Sequence, residues 1–216
     1  MTRTTGALRL LLLAPLLLAP PLAAAPAQAD GLALPVQCET GEETVLAWDD
    51  LAYDLRGTCG VVRVTADGAT VTMPSATRLV VEGAGNAVTA KPLADLEVVG
   101  AGTTVTTPSV QHLTVSGSGS SVDVAGLVEH AELTGSSSAL SADTINLLRL
   151  RGSDAVSARK AFRTRITGSD NVLRLNRSDR LVLTGDRNAV TVARGRTTLR
   201  DRGADNVLDL RPRRRR

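Results

Sequence analysis

Aromatic side chains are almost missing from this sequence: Trp48, Tyr53 and Phe162 are the whole set in 216 residues. Aromatics normally supply much of the area buried in a thick core. Their scarcity, beside abundant Val, Leu, Ala, Thr, Ser and Gly, argues for a thin interior of small branched side chains. Histidine is as scarce, with His112 and His130 alone, which leaves nucleophile–base catalysis little to draw on. The two cysteines, Cys38 and Cys59, stand 21 positions apart. Their pairing is expected in an oxidising compartment and would stabilise the fold by about 3 kcal/mol in the chain-entropy account. Pairing leaves no reactive thiol, and two lone cysteines make a poor metal site.

Also missing is an uninterrupted apolar run of membrane-spanning length, which takes about 20 residues. The run Leu10–Leu18 is short and broken by Pro15. Arg3 and Arg9 precede it and the small-x-small triplet Ala27-Gln28-Ala29 follows, so residues 1–29 read as a signal peptide. The mature chain is then expected to begin at Asp30, with no lipid-bearing cysteine and no transmembrane segment. It is expected to be secreted or to lie in the cell envelope.

What the sequence has instead is a repeat. Two alternating apolar residues, a Gly, a polar turn and two more alternating apolar residues recur around Gly83, Gly100, Gly117, Gly135, Gly152, Gly168, Gly185 and Gly203. Successive spacings are 17, 17, 18, 17, 16, 17 and 18. An earlier copy, Val62–Met73, has Ala66 in place of the Gly. Period-2 alternation is strand chemistry, one side facing in and the other out. Inward pairs before the Gly include Leu79/Val81, Leu96/Val98, Leu113/Val115, Ala131/Leu133, Leu148/Leu150 and Leu181/Leu183. Those after it include Val88/Ala90, Val105/Thr107, Val122/Val124, Leu140/Ala142, Val156/Ala158, Leu173/Leu175, Val190/Val192 and Leu208/Leu210. A second corner adds Ala76, Leu93, Val110, Ile145 and Phe162 as inward residues. Asn86, Asn171, Asn188 and Asn206 recur in the Gly turn, where residues tolerant of left-handed backbone are expected.

One such coil buries too little apolar surface to offset the entropy of ordering it, so the copies must stack. The expected fold is all-β: a single parallel β-solenoid, or β-helix, of nine or ten short coils, about 17 residues each, over residues 61–210. Residues 30–60 are expected to form an N-terminal cap or a degenerate first coil holding the disulfide. Val45, Trp48, Leu51 and Leu55 fit a helix face, whereas Val45 and Ala47 lie 17 residues before Val62 and Val64 and favour a coil. Residues 211–216 read as a disordered basic tail.

No catalytic constellation stands out. Gly117-Ser118-Gly119-Ser120-Ser121 is a repeat turn, not a nucleophile elbow between strand and helix. Gly83-Ala84-Gly85 lacks the helix and Lys of a phosphate loop, and the Gly-Gly-x-Gly-x-Asp calcium repeat is absent. Pectin-cleaving β-helix enzymes wall their clefts with long loops, and no insertion here is long enough. A carbohydrate-active β-helix enzyme is therefore the least favoured reading. Thr70/Thr72 and Thr104/Thr106 have the pairing of ice-binding solenoids, but Ala87, Asp123, Ala155 and Arg174 break the column. His112 and His130 fall in one outward column with Asp95, beside Glu97 and Glu132. That is either a metal patch or, as preferred here, a solvated polar ladder. No catalytic residue, cofactor or metal is assigned.

Charge carries the clearest functional signal. Residues 30–144 hold 15 acidic and four basic residues, a net of −11, while residues 145–216 hold 19 basic and seven acidic, a net of +12. Arg149, Arg165 and Arg200 are expected in one outward column and Arg163 and Arg180 in its neighbour, with Arg151 alongside. A guanidinium ladder suits repeated anionic groups. The expected function is that of a non-enzymatic surface or envelope protein whose Arg face binds anionic polysaccharide or cell-wall polymer. The alternative is a structural rod that self-associates acidic end to basic end. Nucleic acid is not an expected partner, because stacking aromatics are missing.

Cys59-Gly60-Val61-Val62-Arg63-Val64, Gly83-Ala84-Gly85-Asn86-Ala87-Val88 and Gly185-Asp186-Arg187-Asn188-Ala189-Val190 resemble a family of exported actinobacterial proteins, domain of unknown function 3060. That family is marked by a Cys-Gly-x-Val-x-Val segment followed by Gly-x-x-Asn-x-Val repeats. The resemblance covers most of the mature chain, although the copies at Gly100, Gly117 and Gly135 lack the Asn. It implies a solenoid and an extracytoplasmic location, and brings no activity with it.

Overall fold

The structure is a computed structural model that describes residues 33–211. The expected signal peptide and the tail beyond Arg211 lie outside the described residues. Every regular element in them is a strand and every strand pairing is parallel, giving one 17-stranded sheet wound into a solenoid of about ten coils. No helix forms at residues 33–60. Leu34–Cys38 pairs with Ala52–Gly57, and Glu43–Leu46 with Cys59–Val64, so this segment is the first coil.

Two faces alternate along the chain. The front face, before each Gly corner, stacks Cys59–Val64, Ala76–Val81, Leu93–Val98 and Val110–Val115. The back face, after it, stacks Ala52–Gly57, Thr70–Met73, Ala87–Ala90 and Thr104–Thr107. From Ser121 onward the second corner is itself paired. Ser121–Leu133, Ser136–Leu150, Ser153–Ile166 and Val172–Leu183 each run unbroken from back face to front. The first 18-residue copy places its extra residue between Val124 and Leu127, and the 16-residue spacing shortens the turn before Ala155.

The expected inward pairs are buried, except that Leu208 and Leu210 on the open last coil are only partly so. Three places differ. Ala161, opposite Ile145, is the inward corner residue. Phe162 stands half-exposed under the Lys160 ammonium, 3.6 Å from its ring centroid. A slot that Ala fills has no room for a phenyl ring beside stacked coils. In the first coil Val45 pairs with Arg63 and faces out, while Leu46 pairs with Val64 and is buried. One extra residue between these coils reverses the alternation. Tyr53, by contrast, faces in, and its hydroxyl donates to the Trp48 carbonyl at 2.9 Å.

The third difference lies at the Gly corner. Left-handed backbone falls on Gly85, Gly102, Gly119, Asp170, Arg187 and Asp205, not on the Asn residues. Asn86, Asn171 and Asn188 turn inward and are 1%, 0% and 0% exposed. They share an inward column with Thr103, Ser120, Ser138 and Asp154. Each Asn, Thr or Ser satisfies backbone groups of the preceding coil. Asn86 Oδ1 accepts from Ala69 N, and its Nδ2 donates to the Ala66 carbonyl, both at 2.8 Å. Ser120 Oγ donates to the Gly100 carbonyl, and Ser138 Oγ to that of Gly117, both at 2.8 Å. A tight corner cannot pair these groups along the sheet, and leaving them buried and unpartnered is costly. The Gly itself permits close approach: a Cβ at Gly100 would collide with the Gly83 carbonyl.

The ends differ. At the first, the Cys38–Cys59 disulfide is buried and ties the first coil to the corner column that continues in Ala76. At the last, Asp201 takes the column position held by Leu183 one coil earlier. Its Oδ1 accepts from Gly203 N and Asn206 Nδ2, both at 3.0 Å. A carboxylate at an inward position blunts an open strand edge.

Candidate functional site: the arginine columns of the front face

Flat parallel stacking brings residues about 17 apart into adjacent rungs, about 4.8 Å from one another. On the front face this builds two outward columns. One runs Arg78, Asp95, His112, His130, Leu147, Arg163, Arg180 and Thr198. The other runs Arg63, Val80, Glu97, Thr114, Glu132, Arg149, Arg165, Val182 and Arg200. The register therefore brings Arg149 beside Arg165, and Arg163 beside Arg180, while Arg200 lies two rungs beyond Arg165. Arg151 follows Arg149 at the edge of the face.

The two halves of this face differ in how their charges are used. In the N-terminal half each cation has a carboxylate. Arg63 lies between Glu43, at 2.7 Å, and Glu82, which hold its guanidinium further toward the charged form. Arg78 meets Glu97 at 2.6 Å, and His112 Nδ1 stands 3.1 Å from Asp95. Glu132 closes the series by facing both Arg151, at 3.3 Å, and Arg149, at 3.9 Å. Beyond it the pairing stops. Among the described residues, Arg163, Arg165, Arg180 and Arg200 have no carboxylate within ion-pairing distance, and all four are exposed.

Arginines elsewhere in the basic half are partly spent. Arg159 chelates Asp143 and Arg187 chelates Asp170, in each case lowering the carboxyl below its usual range through a direct hydrogen bond. The back face is mostly small and neutral. Thr104, Thr106, Ala139, Ser141, Ala155 and Ser157 face out there, with Asp123 and Arg174 among the few charges. A depression of about 460 Å³ at its edge includes Ser157, Arg159, Arg174 and Asn176.

Of the six arginines marked by the sequence, the structure leaves four uncompensated and puts two, Arg149 and Arg151, against Glu132. The compensation was missed although its signal was present, since Glu132 lies one repeat before Arg149. Among the described residues no group of three or more His, Cys, Asp or Glu side chains is placed to hold a metal ion. His112 and His130 instead stack face to face, ring planes 5° apart and centroids 5.2 Å apart. A shallow groove of about 260 Å³ runs between them and Thr114, Glu132 and Arg149.

A planar guanidinium offers paired donors to carboxylate, phosphate or sulfate. Four of them on two adjacent columns, with Arg163 and Arg180 on successive rungs and Arg200 two rungs beyond Arg165, present a repeated array. Comparison with protein-family models, with curated proteins and with solved structures finds no match for this chain.

Proposed function

We propose that this is a non-enzymatic exported protein of the cell surface or envelope that binds an anionic polysaccharide or cell-wall polymer through its front face. Arg163, Arg165, Arg180 and Arg200 make the principal contacts, with Arg149 and Arg151 at the margin. The observation that carries this reading is the uncompensated set of four on two adjacent columns, on a face whose arginines nearer the N-terminus are each matched by a carboxylate. The buried disulfide is compatible with an oxidising compartment, and the sequence resemblance to exported proteins points the same way. End-to-end stacking is less favoured, because a second copy seated on the last coil would seal Asp201 into an inward column.

Retention of the protein on dextran sulfate across a salt series tests the proposal. Each neutralised anionic group lowers log affinity by about 0.7–0.9 per decade of salt, so four to six arginines give a slope of about −3 to −5. Absent binding at low salt, or binding indifferent to salt, overturns it.

A further inference from the structure

On the first column the arginine stripe does not end at the rung of Glu132. Below Arg163 that column continues through Leu147 to His130 and His112, in unbroken register. We propose that His112 and His130 extend the arginine stripe in acid, so that polyanion binding on this face strengthens as pH falls below neutrality. The inference rests on the reading of the stripe as an anion-binding surface.

Both rings are exposed and their spacing is that of the rungs. Neutral imidazoles stack in this arrangement at no electrostatic cost. Two imidazolium ions would repel across it, and an anionic group laid over both relieves that repulsion. Proton uptake and polyanion binding are thereby coupled, and the coupling is reciprocal. The charged groups around the rings are few. Asp95 lies 3.1 Å from His112 Nδ1, and Glu97 stands diagonally behind it. Glu132 neighbours His130 in the second column but is engaged by Arg149 and Arg151. Glu129, on the connecting side, bonds Asn146. His130 has no hydrogen-bond partner among the described residues, so its ring is free for a ligand.

An imidazole changes charge between pH 5 and 8, whereas the sulfate esters of dextran sulfate keep theirs throughout. Affinity for dextran sulfate is measured at about pH 7.5 and about pH 5.5, at fixed ionic strength, for the native chain and for H112Q/H130Q. Both positions are exposed, and glutamine removes only the stacking of the two rings on each other. The native chain binds about tenfold tighter at the lower pH, and its salt slope steepens by up to about two counterions. The double variant loses that ratio. Native binding at pH 7.5 with no gain at pH 5.5, or a gain retained by H112Q/H130Q, overturns the histidine inference and leaves the arginine reading standing. No native binding at either pH overturns both.

Discussion

Asn188 Oδ1 accepts two hydrogen bonds from Asn171 one coil earlier, from its backbone N–H at 3.0 Å and from its side-chain Nδ2 at 2.9 Å. Asn171 in turn accepts from Asp154 N at 2.8 Å and donates to the Gly152 carbonyl at 3.0 Å. The Gly corner is thus held by a column of side chains, each finishing the backbone of its neighbour. Asn171→Ala strips partners from the buried Asp154 N–H and the partly buried Gly152 carbonyl, and is expected to cost about 2–4 kcal/mol in urea or thermal unfolding. Asn206→Ala, at the half-exposed end of the column, costs less than half as much. Equal effects at the two positions would contradict the ladder.

Asp154 is the anomaly in that column. Its Oδ1 accepts from Ser138 N at 3.0 Å, but buried Oδ2 has no partner and lies by the Gly152 Cα where Asn Nδ2 atoms sit elsewhere. Its ladder neighbours Ser138 and Asn171 are uncharged, and burial pushes its carboxyl above the ordinary value. The folded state therefore binds a proton more tightly than the unfolded chain. Stability from this group is fully present below the unfolded value of 3.8, falls as pH rises through the folded value, and is flat above it. Asp154→Asn supplies a permanent donor. It is expected to raise stability at neutral pH by about 1–3 kcal/mol and to remove this component of the pH profile in thermal unfolding. A destabilised Asn variant at pH 7 would sink this account.

Gly100 tests the close approach of stacked corners. Gly100→Ala drives a methyl group into the Gly83 carbonyl, and is expected to lower stability by about 2–4 kcal/mol. A chemical-denaturation midpoint unchanged from the native one would contradict the packing described.

The disulfide should act locally, because coils in a solenoid contact only their neighbours. Cys38→Ser/Cys59→Ser is expected to cost about 3 kcal/mol. The loss of hydrogen-exchange protection should concentrate in the strands of residues 34–64. Uniform loss along the rod would show that the first coil does not behave as a separable end.

How much of this could be read from the sequence follows from the period of each feature. Inward pairs such as Leu96/Val98 and Leu140/Ala142 were legible because strand alternation and a near-constant repeat fix each position twice. So were the Arg149–Arg165 and Arg163–Arg180 neighbours, which need only the repeat length. Val45 was misassigned because one inserted residue inverts the pattern. Phe162 was taken for the inward corner residue on hydrophobicity alone, when slot size selects Ala161. The Asn residues were read as turn formers, since Asn suits both an exposed left-handed bend and a buried backbone-capping ladder. Only three-dimensional burial separates the two.

The most direct measurement compares two charge-matched double variants for affinity to dextran sulfate at low salt. R163E/R180E reverses two adjacent uncompensated guanidinium groups on the front face, while R174E/R177E makes the same change in net charge off that face. The account predicts that the first loses at least about tenfold in affinity, with a shallower salt slope, and that the second stays close to the native chain. Equal losses in both would mean that overall charge, and not the front-face columns, governs binding.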